Sequence, residues 1–271
     1  MTNKKVVLVT GASSGFGQLI AQKLAAVGYC VFGTSRKEHP ASQGVEMLTL
    51  DVTSDSSIES CINQLLTRTN RIDILVNNAG QIHASMIEET SLEQALEIFE
   101  TNFWGVVRVT NAVLPFMRQQ RSGHIINMSS VAGLIGAPGQ GFYSASKFAL
   151  EGYSEALSVE LDPFNIKVSL VEPGYFKTNF NQAMLQPTVI HSDYDTVRDV
   201  ISSSVQGAIA QGDNPDKVAK AIARIASSSS PRLRYRIGNE AQWLPRLRAI
   251  LPDKLFRFSA RKRLNLPVHS H

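Results

Sequence analysis

Cysteine is scarce: Cys30 and Cys61 are the only two in 271 residues, without CxxC spacing and without a histidine cluster beside them. They read as free thiols in a reducing compartment rather than as a disulfide, and no metal site is expected. Long apolar runs are also missing. None approaches the ~18 residues that a membrane span requires. The amino-terminal run Val6 to Val9 is too short for the core of a secretory signal, so a cytoplasmic location is the expectation. Acidic residues are scarce in one region only. From Pro231 onward there are ten Lys/Arg against two acids, whereas the first 230 residues hold 17 bases against 21 acids. No stacking platform or reading motif accompanies that basic segment, so a nucleic-acid partner is not expected.

What is present is strand and helix in alternation. Val6 to Thr10 reads as a buried strand, followed by a glycine turn and a helical pattern that stops at Gly28. Further strands are expected at Tyr29–Thr34, Met47–Leu50, Ile74–Val76, His124–Met128 and Ile166–Val171. Between them lie helical stretches: one capped by Ser54 or Asp55 with Ile58, Ile62, Leu65 and Leu66 on one face, one from about Ser91 to Gln119, and one from Tyr143 to Leu161. Such alternation implies an α/β fold, a parallel sheet with helices on both faces. The length suits a single domain over 1–271, with a basic helical extension from about 231 to 271. In such a sheet a ligand lies beyond the carboxyl ends of the strands. Gly11, Arg36, Asp51, Asn78, Ser130 and Gly174 all fall at those ends.

The turn after the first strand is Thr10-Gly11-Ala12-Ser13-Ser14-Gly15-Phe16-Gly17. Its glycines permit a tight strand-to-helix turn and close backbone approach to a pyrophosphate, with the helix beginning near Phe16 pointing its positive end at that group. The spacing is GxxxGxG. In position and spacing this turn resembles the nucleotide loop of the short-chain dehydrogenase/reductase family. Asn77-Asn78-Ala79-Gly80 resembles the second family motif. Asn102 falls where the family places a catalytic asparagine, Ser130 lies thirteen residues before Tyr143, and Lys147 completes Tyr143-Ser144-Ala145-Ser146-Lys147. Pro173-Gly174 with Thr178 is similar to the segment that closes over the nicotinamide end. The resemblance covers roughly residues 4 to 180, and it implies a Rossmann-type doubly wound sheet and a nicotinamide dinucleotide. It also implies roles for Gly11, Ser13, Ser14, Gly15, Phe16 and Gly17 at the pyrophosphate, Asp51-Val52 at the adenine, and Asn78, Ala79 and Gly80 at the adenosine.

Charge at the end of the second strand bears on which dinucleotide is bound. An acid there would bind a ribose 2′-hydroxyl and repel a 2′-phosphate. This sequence has Thr34-Ser35-Arg36-Lys37 instead, and a guanidinium suits a phosphate dianion. Ser35 and Arg36 therefore point to NADP(H) over NAD(H).

Carbonyl reduction needs a proton donor for oxygen, and alcohol oxidation needs a base. A free tyrosine, with pKa ~10, is a poor base. Lys147 stands four residues after Tyr143, so on a helix the two side chains face the same way and the ammonium favours phenolate. The resemblance further implies that Ser130 holds the substrate oxygen, that Lys147 holds the nicotinamide ribose, and that Asn102 holds a water linked to Lys147.

Leu134, Pro138, Gln140 and Phe142, with Phe176, Phe180, Met184 and Leu185, suggest an apolar lining for a medium-sized hydrophobic ketone or secondary alcohol, though such residues also build cores. Asn179 to Asn214 has weak periodicity, read as a flap over the site or as plain surface loop. Leu233 to Gly238 looks similar to the tails of 17β-hydroxysteroid and retinol dehydrogenase-like members. The basic tail beyond it reads as a solvated helix face packed on the core, or as an amphipathic helix on anionic membrane or over the substrate mouth. Alternatives on the same fold are a 3-oxoacyl-thioester reductase and a non-catalytic cofactor sensor. The resemblance also makes a homodimer or homotetramer the expectation.

Overall fold

A computed structural model describes residues 4–177, 184–185 and 189–263. Strands β1 (Val6–Val9) and β2 (Cys30–Ser35) flank helix α1 (Gly15–Ala26), and β3 (Val45–Thr49) and β4 (Ile74–Asn77) flank α2 (Asp55–Thr69). The short β5 (Ile82–His83) leads to α3 (Leu92–Phe99) and α4 (Gly105–Gln120). Next, β6 (Gly123–Met128) and β7 (Ile166–Pro173) flank α5 (Gly141–Glu160). After the short β8 (Met184–Leu185) come α6 (Asp195–Ala210), α7 (Asp216–Ser227), β9 (Arg234–Ile237), α8 (Asn239–Ile250) and α9 (Asp253–Arg263).

Seven strands form one parallel sheet in the order β3-β2-β1-β4-β6-β7-β9. Strand order reverses between β1 and β4, the place where a doubly wound sheet opens a crevice at its carboxyl edge. Because both faces are covered, strand residues are apolar in unbroken runs rather than alternating. On β1, Val6 and Leu8 join a core with Ile58, Leu65, Val109 and Val113 of α2 and α4. Val7 and Val9 join the opposite core with Ile20 and Leu24 of α1 and Val218 and Ile222 of α7. At the head of α2 the cap is Ser54, whose hydroxyl accepts from the Ser57 amide.

The stretch Ser91 to Gln119 is helical throughout as expected, with residues Glu100–Trp104 forming a π-helical turn between α3 and α4; two other expectations need correction. A π turn adds a residue to the helix and rotates the succeeding turns, and its cause is not visible in apolar spacing. The segment Asn179 to Asn214 contains α6 and is not simply a flap or surface loop. Ile201, Val205 and Ile209 of α6 pack with Met86, and buried Glu89 pairs with Arg198. The extension, expected to be helical, begins with an edge strand, β9, before α8 and α9. Alternating Arg234-Tyr235-Arg236-Ile237 has strand periodicity, but its arginines mask it, because they face buried acids.

Candidate active site

The expected dinucleotide turn lies at the β1/β4 crevice. Gly11 and Gly15 take φ values of +66° and +56°, the left-handed region that suits glycine. A side chain at Gly17 is sterically excluded: a Cβ there would lie 2.1 Å from the Gly11 carbonyl oxygen and 2.4 Å from Asn78 Nδ2. A Cβ at Gly15, by contrast, would meet nothing within 4 Å, so the mouth of the turn is open. Ser13 is half-buried and Ser14 exposed. Ser14 caps α1 without a side-chain hydrogen bond, which leaves first-turn N–H groups available to an anion. Phe16 turns inward and meets Phe176 edge to face at 5.6 Å. These features fit a dinucleotide pyrophosphate.

Asn78 does more for the turn than the motif alone suggests. Its Nδ2 donates to the Thr10 and Gly11 carbonyls at 2.9 and 3.1 Å, and the Asn78 and Ala79 amides donate to the Thr10 hydroxyl. The β4 turn thereby clamps the β1 turn, and Gly80 lets the chain pass Asn102 closely. Ser35 ends β2 half-buried and Arg36 is exposed beyond it. Asp51 accepts from the Thr53 amide and hydroxyl, and these bonds, with the nearby Arg36 charge, hold its carboxyl below the usual range. Val52 beside it is buried. Pro173 ends β7, and the Gly174 amide donates to Ile237 of β9 at 2.9 Å. Thr178 lies outside the described residues.

Tyr143 and Lys147 stand on successive turns of α5. Lys147 is 6% exposed, and its ammonium donates to the Met128 carbonyl at 2.8 Å, where β6 ends. Its Nζ sits 5.8 Å from the centre of the Tyr143 ring. Ser130 opens the short turn Val131–Gly133; its Oγ accepts from the Ala132 amide at 3.1 Å and lies close enough to the Tyr143 phenol to act on its pKa. Ser129 faces the other way, toward Glu151. Burial pushes the Tyr143 phenol above its usual pKa, opposed by the nearby Ser130 hydroxyl and assisted by Tyr175. In the protein alone the ammonium is turned to Met128 and burial dominates the phenol. Burial also lowers Lys147 to about 8, with Glu151 working to keep the charge on.

Asn102 is fully buried in the π turn. Its Nδ2 donates to the Gln81 carbonyl and to Ser146 Oγ at 2.8 and 3.2 Å, and its Oδ1 accepts from the Gln81 amide at 2.8 Å. Ser146 in turn donates to the Tyr143 carbonyl at 2.7 Å. The side chain thus braces the catalytic helix against the loop after β4. Protein groups engage both ends of the carboxamide.

Several other residues fall elsewhere than expected. Phe176 is core rather than lining: it is buried beneath the dinucleotide turn in the α1/α7 cluster. Leu134 and Phe142 are half-buried near the site and Gln140 is buried, while Pro138 is exposed. Phe180 lies outside the described residues, and of Met184 and Leu185 only the backbone pairing of β8 with β5 is described. An open cavity of about 550 Å³, lined by Lys4, Lys5, Lys23, Lys220 and Arg224, lies at the opposite, amino edge of the sheet. Helices α1 and α7 end there, and cations complement helix carboxyl ends. That cavity is not the site.

Sequence reasoning missed Ser146, Gln81, Glu151, Glu172, Arg234 and Arg236. A signal existed for one of them, because Glu151 continues the four-residue spacing of Tyr143 and Lys147. Among the described residues no group of three or more His, Cys, Asp or Glu could hold a metal ion.

A switch-point crevice with a glycine turn and a Ser–Tyr–Lys set is the site of a nicotinamide-dependent oxidoreductase. The family model described as short chain dehydrogenase matches residues 5–188, and the chain belongs to the short-chain dehydrogenase/reductase family. It is 41% identical to a 3-ketodihydrosphingosine reductase of Bacteroides thetaiotaomicron, over 95% of this chain and 97% of that protein. It is 38% identical to retinol dehydrogenase 8 of Homo sapiens, over 85% of this chain and 80% of the relative. Among solved structures, a short-chain dehydrogenase from Streptomyces avermitilis aligns with a TM-score of 0.80 at 34% identity, covering 97% of this chain and 98% of its own.

Proposed function

We propose that this enzyme uses NADP(H) to interconvert a hydrophobic ketone and its secondary alcohol. One observation carries the chemistry: the Tyr143 phenol faces the Ser130 hydroxyl, one helical turn from the buried Lys147 ammonium. A bound nicotinamide dinucleotide would supply the hydride for carbonyl reduction or accept it in alcohol oxidation. Tyr143, held protonated by burial at neutral pH, gives its proton to the substrate oxygen. Because the Ala132 amide occupies a lone pair of Ser130 Oγ, the serine O–H is free to donate to the same oxygen as charge grows there. Lys147 keeps two N–H donors beyond the one given to Met128, enough to face a ribose and the phenolate that the reaction leaves. In the oxidative direction the phenolate must form first, and the Lys147 charge offsets the burial that opposes it.

The substrate class is supported by the half-buried apolar side chains of Leu134 and Phe142 beside the set, and by two relatives named for 3-ketodihydrosphingosine and for retinol. The test is direct. With NADPH labelled at its transferable hydride and 3-ketodihydrosphingosine, label transfer to the carbinol carbon of the alcohol formed is expected. Tight dinucleotide binding with no transfer to any ketone or 3-oxoacyl thioester would identify a cofactor sensor and remove the proposal.

The choice of NADP(H) rests on exposed Arg36 following Ser35, with Lys37 beside it and no acid at the end of β2. Reversing the charge in Arg36→Asp exchanges an attractive, charge-assisted contact for repulsion. A loss of ~3 kcal/mol corresponds to about 10²-fold in the NADPH/NADH ratio of kcat/KM. An unchanged ratio in steady-state assays would remove the phosphate assignment.

A further inference from the structure

Behind Lys147, away from the crevice, α5, β7 and β9 bring six charged side chains together. Glu151 is one turn further along α5, 6% exposed, and its Oε2 accepts from Arg234 Nε at 3.1 Å. Glu172, the residue before Pro173, is fully buried; its Oε2 accepts from Arg236 Nε at 3.1 Å. Glu172 Oε1 lies 3.6 Å from the same Arg234 Nε, so the two carboxyls share one guanidinium edge. Glu155 takes Arg234 Nη2 at 2.6 Å on the solvent side. Both Glu151 Oε1 and Glu172 Oε1 are buried without a hydrogen-bond donor. The Ser129 hydroxyl faces Glu151 closely enough to oppose the rise of its pKa, but falls short of hydrogen-bond geometry.

Two buried carboxyls, each with an orphaned oxygen, cannot both ionise cheaply, because desolvation and mutual repulsion add. The charges around them are Lys147 and Glu155 from α5, and Arg234 and Arg236 from β9. Both arginines are about a third exposed, so solvent weakens the compensation they offer. Burial, and then Glu151, push Glu172 up to about 7, and burial raises Glu151 as well.

We infer that Glu151 and Glu172 hold one proton in common near neutral pH and act as positioning residues that set the charge of Lys147, with the arginines of β9 holding the pair together. This inference rests on the proposed role of Lys147 and gives that site a regulator. As pH rises through neutrality the pair loses its shared proton, and the added negative charge strengthens support for the ammonium in the range where burial would otherwise discharge it. The catalytic lysine is thereby kept charged by the carboxylates behind it.

The test reads protonation directly. In protein labelled at glutamate ¹³Cδ and lysine ¹³Cε, one glutamate resonance is expected to titrate near pH 7 and to vanish in Glu172→Gln. In that variant Glu151 should titrate about one pH unit lower, the scale of a neighbouring like charge. The Lys147 resonance, assigned by its loss in Lys147→Arg, should titrate near 8 and move down by about one unit in Glu151→Gln. In Glu172→Gln its shift should be less than half as large, since Glu151, one helical turn from Lys147, is the carboxyl that bears on its charge. A purely structural role would not separate the two variants. If both glutamates titrate below pH 5 in the unmodified protein, or if Lys147 has one midpoint in all three proteins, the inference falls. None of these readings needs turnover, so failure of every substrate probe would remove the proposed function and leave the proton sharing intact. With 3-ketodihydrosphingosine and NADPH, the alkaline limb of kcat/KM should follow the Lys147 midpoint downward in Glu151→Gln; a fixed limb would overturn its positioning role.

Discussion

Tyr143→Phe should reduce turnover by about 10³-fold, the middle of the range for loss of a positioned general acid. The change removes one oxygen and keeps the ring, so the half-buried aromatic contacts of α5 persist. Dinucleotide affinity and Tm should therefore stay close to those of the unaltered protein. The loss should fall on kcat with little change in KM, since the phenol acts when the proton moves rather than when the substrate docks. Steady-state kinetics and NADPH fluorescence titration on the same preparation check both halves. Retained turnover would assign the proton to another group. Ser130, whose hydroxyl lies beside the phenol, would then be the first to consider.

Gly17→Ala should abolish dinucleotide binding and lower Tm. On helix propensity alone the exchange is favourable by ~1 kcal/mol, because alanine is the better helix former. Sterics reverse the sign. The new methyl would sit 2.1 Å from a backbone oxygen and 2.4 Å from the Asn78 amide that clamps the turn. Neither can yield without breaking the bonds that join β1 to β4. Overpacking of this kind costs about 1–3 kcal/mol even where side chains can move, and here a carbonyl must. Gly15→Ala is the control. Its methyl meets open space, and only the left-handed backbone, about 1–2 kcal/mol, opposes it. Thermal unfolding and NADPH titration of the two variants separate steric from conformational cost. Normal binding by Gly17→Ala would show that the turn has been placed wrongly.

The basic extension shows how a composition reading can be right in number and incomplete in meaning. Ten bases after Pro231 suggest a solvated or membrane-facing surface. Two of them, Arg234 and Arg236, are instead internal counter-charges for Glu151 and Glu172. Arg248 is also engaged, pairing with Asp253 and stacking on Phe256. Trp243, Leu255 and Phe258 remain exposed on α8 and α9, together with Arg257.

The sheet and the catalytic helix could be read from the chain itself, because their physics is local. Unbroken Val and Ile runs mark strands buried on both faces, and a three-glycine turn marks close backbone approach. Tyr143 and Lys147 share a helix face by spacing alone. The relations that complete the site are not local. The π turn that seats Asn102, the clamp of Asn78 on Thr10 and Gly11, the burial of Phe176 beneath the turn, and the meeting of β9 arginines with α5 and β7 acids join residues 21 to 160 positions apart. Periodicity carries no trace of such pairings, because a charged side chain looks the same in sequence whether it faces water or a buried counter-ion. Local spacing determined which groups can do the chemistry; only tertiary packing decided which neighbours set their charge.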